Sequence, residues 1–128
     1  MLRMLFVGLC ALCAVTVPVH SADFTFRVKS LHKYTAQIEF YSQNRKRAWP
    51  GGTKAYLLRD SAVHEYKLNC NPIEGDDGGR GETICYGAWD KANGSSPYWG
   101  KGRDGKESCA DCCYRCVDGH KTPILTLR

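Results

Sequence analysis

Eight residues near the C-terminus constrain this chain more than any others: Cys109-Ala110-Asp111-Cys112-Cys113-Tyr114-Arg115-Cys116. Their four thiols stand at relative positions i, i+3, i+4 and i+7. On a helix those offsets share one face, so the spacing predicts a short helix with a cysteine stripe. Ser108 can cap its N-terminus, with Asp111 at the third helical position, and Gly119 can end it. Such a stripe must be bonded to other cysteines or to a metal.

The compartment decides between those two. Residues 1–22 read as a secretory signal peptide: Arg3 gives a positive start, Leu5 to Val17 is apolar, Pro18 breaks the run, and Val19-His20-Ser21-Ala22 supplies a small-residue exit. Cleavage after Ser21 puts Val19 at the −3 position, and cleavage after Ala22 is the alternative. The apolar run falls short of the roughly 20 residues that span a bilayer, and no later run reaches that length, so no membrane span is expected. Neither Cys10 nor Cys13 has the small-residue approach of a lipid-attachment site. What remains, residues 23–128, is the size of one domain with a core of its own.

Six of the eight cysteines survive the leader, and an even count in an exported chain reads as three disulfides among Cys70, Cys85, Cys109, Cys112, Cys113 and Cys116. A structural zinc site separates its two cysteine pairs by a dozen or more residues, whereas Cys109/Cys112 and Cys113/Cys116 abut. Iron–sulfur spacing differs, no His follows a pair as haem attachment requires, and no βαβ pattern surrounds the CxxC. No metal or other cofactor is therefore expected. A Cys112–Cys113 bond would close a strained ring. Two schemes remain: two cluster thiols reach Cys70 and Cys85 while two pair locally, or Cys70 joins Cys85 and the cluster bridges itself.

The rest of the chain reads as mainly β. Residues 23–29 alternate apolar and polar with Phe24, Phe26 and Val28 on one side; residues 34–41 alternate again with Tyr34, Ala36, Ile38 and Phe40 together. This pattern predicts an antiparallel hairpin with one buried face. Further strands are expected at 54–59, 63–70, 83–89 and 122–127. In 63–70, His64, Tyr66, Leu68 and Cys70 share the inward side. The expected fold is thus an antiparallel sheet or small β-sandwich, with one short disulfide-anchored helix near the C-terminus.

Three loops interrupt it. Residues 43–52 carry Arg45, Lys46 and Arg47 beside Trp49, then Pro50-Gly51-Gly52. Residues 71–82 are rich in Gly and Asp, but their spacing does not match an EF-hand, and Arg80 sits among the acids. Residues 90–107 set Tyr98 and Trp99 beside Lys101 and Arg103, after a glycosylation sequon at Asn93-Gly94-Ser95. A loop that long is often functional.

No catalytic signature stands out. Of the mature histidines, His32, His64 and His120, none lies in a metal-ligand spacing. No nucleophile elbow or phosphate-binding glycine loop occurs. His64, Asp60 and Ser61 lie too close along the chain for a triad to be expected. An enzyme is not expected. Arg3 is the leader's only basic residue, so the formal charge of +5 falls to about +4. That modest excess suits an anionic partner but does not point to nucleic acid. The expectation is a secreted or periplasmic binding module whose loops, with Arg45, Lys46, Arg47, Trp49, Tyr98, Trp99, Lys101 and Arg103, contact an anionic polysaccharide or other glycan. An extracellular protein–protein effector or inhibitor, or an envelope structural protein without a ligand, is the alternative.

Overall fold

The alternation of Phe24, Phe26 and Val28 does make a strand, β1 (Ala22–Ser30), and all three side chains are buried. Strand β2 (Ala36–Ser42) buries Ala36, Ile38 and Phe40 in the same way. A computed structural model describes residues 13–14, 21–73, 81–94 and 96–128 of the chain. Most of the signal-peptide segment, the acidic residues Asp76 and Asp77 of the Gly-rich loop, and Ser95 of the sequon lie outside the described residues. Ala22, the first residue of β1, is buried.

The remaining strands are β3 (Ala48–Trp49), β4 (Tyr56–Leu58), β5 (Val63–Cys70), β6 (Thr83–Asp90), β7 (Tyr98–Gly100), β8 (Cys113–Arg115) and β9 (Lys121–Leu127). They form two sheets. One has the order β5-β1-β9, with β9 parallel to β1; the other runs β3-β2-β6-β7, with β4 added to β2 and β8 to β6. The fold is mainly β, with about half the residues in strands and a 3-10 turn at Arg103–Gly105 as the helical part.

The sheets meet through aromatic side chains. Phe26 of β1 lies 4.5 Å, ring centre to ring centre, from Phe40 of β2, and Phe40 lies 5.3 Å from Tyr66 of β5. Ring pairs at such spacing add about 0.5–1.5 kcal/mol beyond their buried area. This contact corrects the expected hairpin. β1 and β2 do not pair edge to edge; they belong to opposite sheets and face each other across the core. An alternating strand records which side is buried, and both arrangements bury the same side.

A second correction concerns the cysteine segment, which is no helix. Cys113 opposes Cys85 in the β8–β6 ladder and bonds to it, while Cys116 bonds to Cys70. Cys112, just before β8, is buried as a free thiol, its Sγ 3.9 Å from the Cys113 sulfur of the Cys85 bridge. Its Sγ points to the Cys109 carbonyl oxygen at 3.5 Å. Burial pushes that thiol up to about 12, with the Cys109 side chain adding to the rise, so it stays protonated and inert. The first pairing scheme holds for its two long bridges, Cys70–Cys116 and Cys85–Cys113. Cys109 and Cys112, the expected local pair, are neighbours but unbonded.

Candidate functional site

The sheet containing β2 has an outer face as well as a core face. Register places Gln37 opposite Trp89, Glu39 opposite Gly87, and Tyr41 opposite Cys85. This face is roofed by the segment after β7. Lys101 N–H donates to the Tyr86 carbonyl at 2.9 Å, and Glu107 N–H donates back to the Lys101 carbonyl at 3.0 Å. The loop so closed lays Gly102 directly over Gly87, where no side chain stands in the way. At its tip Asp104 adopts φ 58°, a left-handed conformation Asp tolerates better than most residues.

The loop presents charge to solvent. Arg103 and Lys106 are 59% and 76% exposed, on either side of Asp104 at 4.0 and 3.9 Å. Exposed pairs of that length contribute little and leave both cations available. With Asn93, Gly94 and Tyr98 they border a cleft of about 410 Å³. On the other side of Asp104, Lys101 and Tyr41 border a second opening of about 540 Å³. Beneath, buried Glu39 accepts a hydrogen bond from Tyr41. Burial raises the Glu39 carboxyl above its usual range, the Tyr41 hydrogen bond opposes this, Asp104's charge adds to it and Arg103 lowers it. The Tyr41 hydroxyl is likewise raised, first by burial and then by Glu39.

The other aromatic–basic loop is organised differently. Arg45 and Arg47 approach Glu82 Oε1 at 3.9 and 3.5 Å, and Glu82 is fully buried. Arg47 also donates to the Asn69 carbonyl at 2.6 Å and lies over the half-buried Trp49 ring at 4.7 Å. These two guanidiniums serve an internal carboxylate, and Lys46 stands exposed between them. In the long loop, Trp99 is half-buried; its Nε1–H donates to the Arg128 carbonyl, and its ring meets His32 edge-on at 5.1 Å. Tyr98, 46% exposed, is the ring this loop shows to solvent. The structure thus gathers Tyr98, Arg103 and, across Asp104, Lys101, and it separates them from Arg45, Arg47 and Trp49.

Several residues here carry no sequence signal. Glu39 and Tyr41 look like the polar side of an ordinary strand, and Asp104 like a loop acid. His32 Nε2 lies 2.6 Å from Asp90 Oδ2, a pairing across 58 residues that no motif announces. His64 and Asp60, by contrast, do meet, at 2.7 Å, on an exposed turn. Among the described residues no three His, Cys, Asp or Glu side chains gather as a metal site, and no helix is long and apolar enough to cross a membrane. The chain matches no protein-family model, and comparison with curated proteins and with solved structures returns no match.

Two of the buried carboxyls, Asp90 and Glu39, give opposite pH signatures. Asp90 is held below the usual range, chiefly by the His32 hydrogen bond. The unfolded chain then binds more protons, so Asp90 contributes stability above the unfolded value, and that stability is lost as pH falls through the folded one. Glu39 is raised from 4.5, so the folded chain keeps its proton longer and stability declines as pH rises above that value. Asp90→Asn should flatten the acid limb of urea midpoints measured from pH 3 to 7. Glu39→Gln should abolish the decline above pH 4.5 and exceed the parent's midpoint at pH 7; a Glu39→Gln profile parallel to the parent's would refute the assignment.

Proposed function

We propose that this chain is an exported, disulfide-stapled binding module that holds an acidic polysaccharide in the clefts flanking the 103–105 turn. The observation that carries this reading is the pair of cations at that turn. Arg103 and Lys106 are exposed, form ion pairs within 4 Å only with Asp104 among the described residues, and border, with Asp104 and Glu107, a cleft that also holds the exposed Tyr98 ring. A guanidinium and an ammonium can take carboxylate or sulfate groups, while a phenol ring can lie against a sugar face. Two disulfides and the leader-like N-terminus support a location outside the cytoplasm, secreted or periplasmic. Backbone hydrogen bonds from Lys101 to Tyr86 and from Glu107 to Lys101 fix the loop, and the site works by binding, without a chemical step.

Calorimetric titration with a polyuronate and with a neutral glucan tests this. The polyuronate should bind, and its affinity should fall as salt rises, because exposed charges are screened. Arg103→Ser/Lys106→Ser should cost about tenfold, the sum of two exposed charge contacts. Equal binding of the neutral glucan, or no polyuronate binding at low salt, would sink the proposal.

A further inference from the structure

Beyond the Tyr98 cleft, on the far side of the turn at residues 91–94 that carries the sequon's Asn93, lies a second surface. Asp90 builds that turn. Its Oδ1 accepts the Ala92 and Asn93 N–H groups at 2.8 and 3.1 Å, and its carbonyl accepts from Gly94 N–H at 2.9 Å. Lys91 N–H donates to the Thr35 carbonyl at 3.0 Å, and His32 reaches Asp90 Oδ2, so the turn is fastened to the 32–35 connection. The His32 ring stands between two others, edge-on to Tyr34 at 5.8 Å and to Trp99 at 5.1 Å.

Tyr34 is 58% exposed, although strand periodicity assigns it to the core face. Lys33 Nζ lies 4.8 Å from its ring centre. Tyr34 and Thr35 together with Lys91 and Ala92 border an open, mainly apolar cleft of about 390 Å³. Asn93 and Gly94, the next two residues, border the Tyr98 cleft. One tight turn therefore divides the two, and the ends of such a turn lie within about 7 Å of each other. Each side offers one exposed tyrosine with basic groups: Lys91, and Lys33 over the Tyr34 ring, on one; Arg103 and Lys106, with the acids Asp104 and Glu107 between and beside them, on the other.

We infer that the Tyr34 cleft is a second subsite, and that the ligand is a linear acidic polysaccharide laid over the 91–94 turn to occupy both clefts at once. This rests on the preceding reading and adds a length requirement to it. An exposed ring flanked by ammonium groups suits an anionic sugar: the ring takes the apolar face of a sugar and the lysines take its acid groups. Filling the second cleft from an already bound chain is intramolecular, so affinity should climb with chain length without any new kind of contact.

The experiment is a length series of acidic oligosaccharides, for example oligogalacturonates, titrated into the exported protein and into Tyr34→Ala/Lys91→Ser. Thermal melts check that the variant is folded, which its exposed positions favour. For the parent, affinity should rise with length and level off once both clefts are filled. The variant should bind the shortest chains as the parent does, but lose about tenfold on the longest and show a shallower salt dependence. If short and long chains bind the parent equally, or the variant keeps full affinity for long ones, the second subsite is overturned while the Tyr98 cleft stands. If no acidic chain of any length binds, both readings fall.

Discussion

Cys70→Ala/Cys116→Ala should lower stability by about 4 kcal/mol, the loop-closure value for a bridge across 46 residues. That is a large part of the 5–15 kcal/mol a domain of this size has in total. A fall in melting temperature of about 20 °C is expected in a thermal scan followed by circular dichroism. The bridge joins the end of β5, in the three-stranded sheet, to the residue after β8, in the six-stranded one. Cys85–Cys113 stays within a single sheet and closes 28 residues. Chain entropy alone puts its removal, Cys85→Ala/Cys113→Ala, only about half a kcal/mol lower in cost. A much larger penalty for the first pair would mean that the bridge also holds the sheets together in the native state. A loss under about 1 kcal/mol would contradict the entropic account.

Which residues face inward was legible in the sequence, because a period of two follows directly from the pleat. Phe24, Phe26, Val28, Ile38, Phe40, Leu68 and Cys70 all lie where alternation puts them. Which strands pair was not legible, since β1 and β2 bury the same faces whether they lie side by side or face to face. The cysteine segment failed for a related reason. Offsets of 3, 4 and 7 fit a helical stripe, but Cys85 and Cys70 lie in different sheets, and an extended segment reaches both. Bonding partners outweighed local spacing.

The candidate site was half legible. Composition marked two loops as aromatic and basic, and it could not tell solvent-facing cations from internal ones. The difference lies in Glu82, a lone acid 35 residues beyond Arg47, whose buried carboxylate draws in both Arg45 and Arg47. In the long loop Arg103 and Lys106 form ion pairs within 4 Å only with Asp104 among the described residues, an acid as exposed as they are, while buried Glu39 beneath them accepts its hydrogen bond from Tyr41. Tyr34 escaped because the alternation of β2 extends to it, while the ladder begins only at Ala36.

Gly87→Ala should cost about 3 kcal/mol, the upper part of the overpacking range, and should also abolish polyuronate binding. Gly87 sits mid-strand in β6, where a glycine normally weakens the sheet. Its reason for being there is overhead. A Cβ would run into the Gly102 carbonyl oxygen and stand 3.1 Å from that residue's carbonyl carbon and nitrogen, all backbone atoms that cannot rotate aside. Gly100, at φ 60°, is confined by the Tyr86 carbonyl in the same way, so the 101–107 loop cannot lift at one end and stay seated at the other. The methyl group must therefore push the loop from the sheet, carrying Arg103 and Lys106 with it and exposing Glu39 to water. A control separates this from backbone strain alone. Gly119 has φ 74°, and a methyl group added there would meet nothing within 4 Å, so Gly119→Ala should cost only the left-handed penalty of about 1 kcal/mol and leave binding intact. If Gly87→Ala melts with the parent, the loop does not rest on β6, and the cation cleft loses its floor.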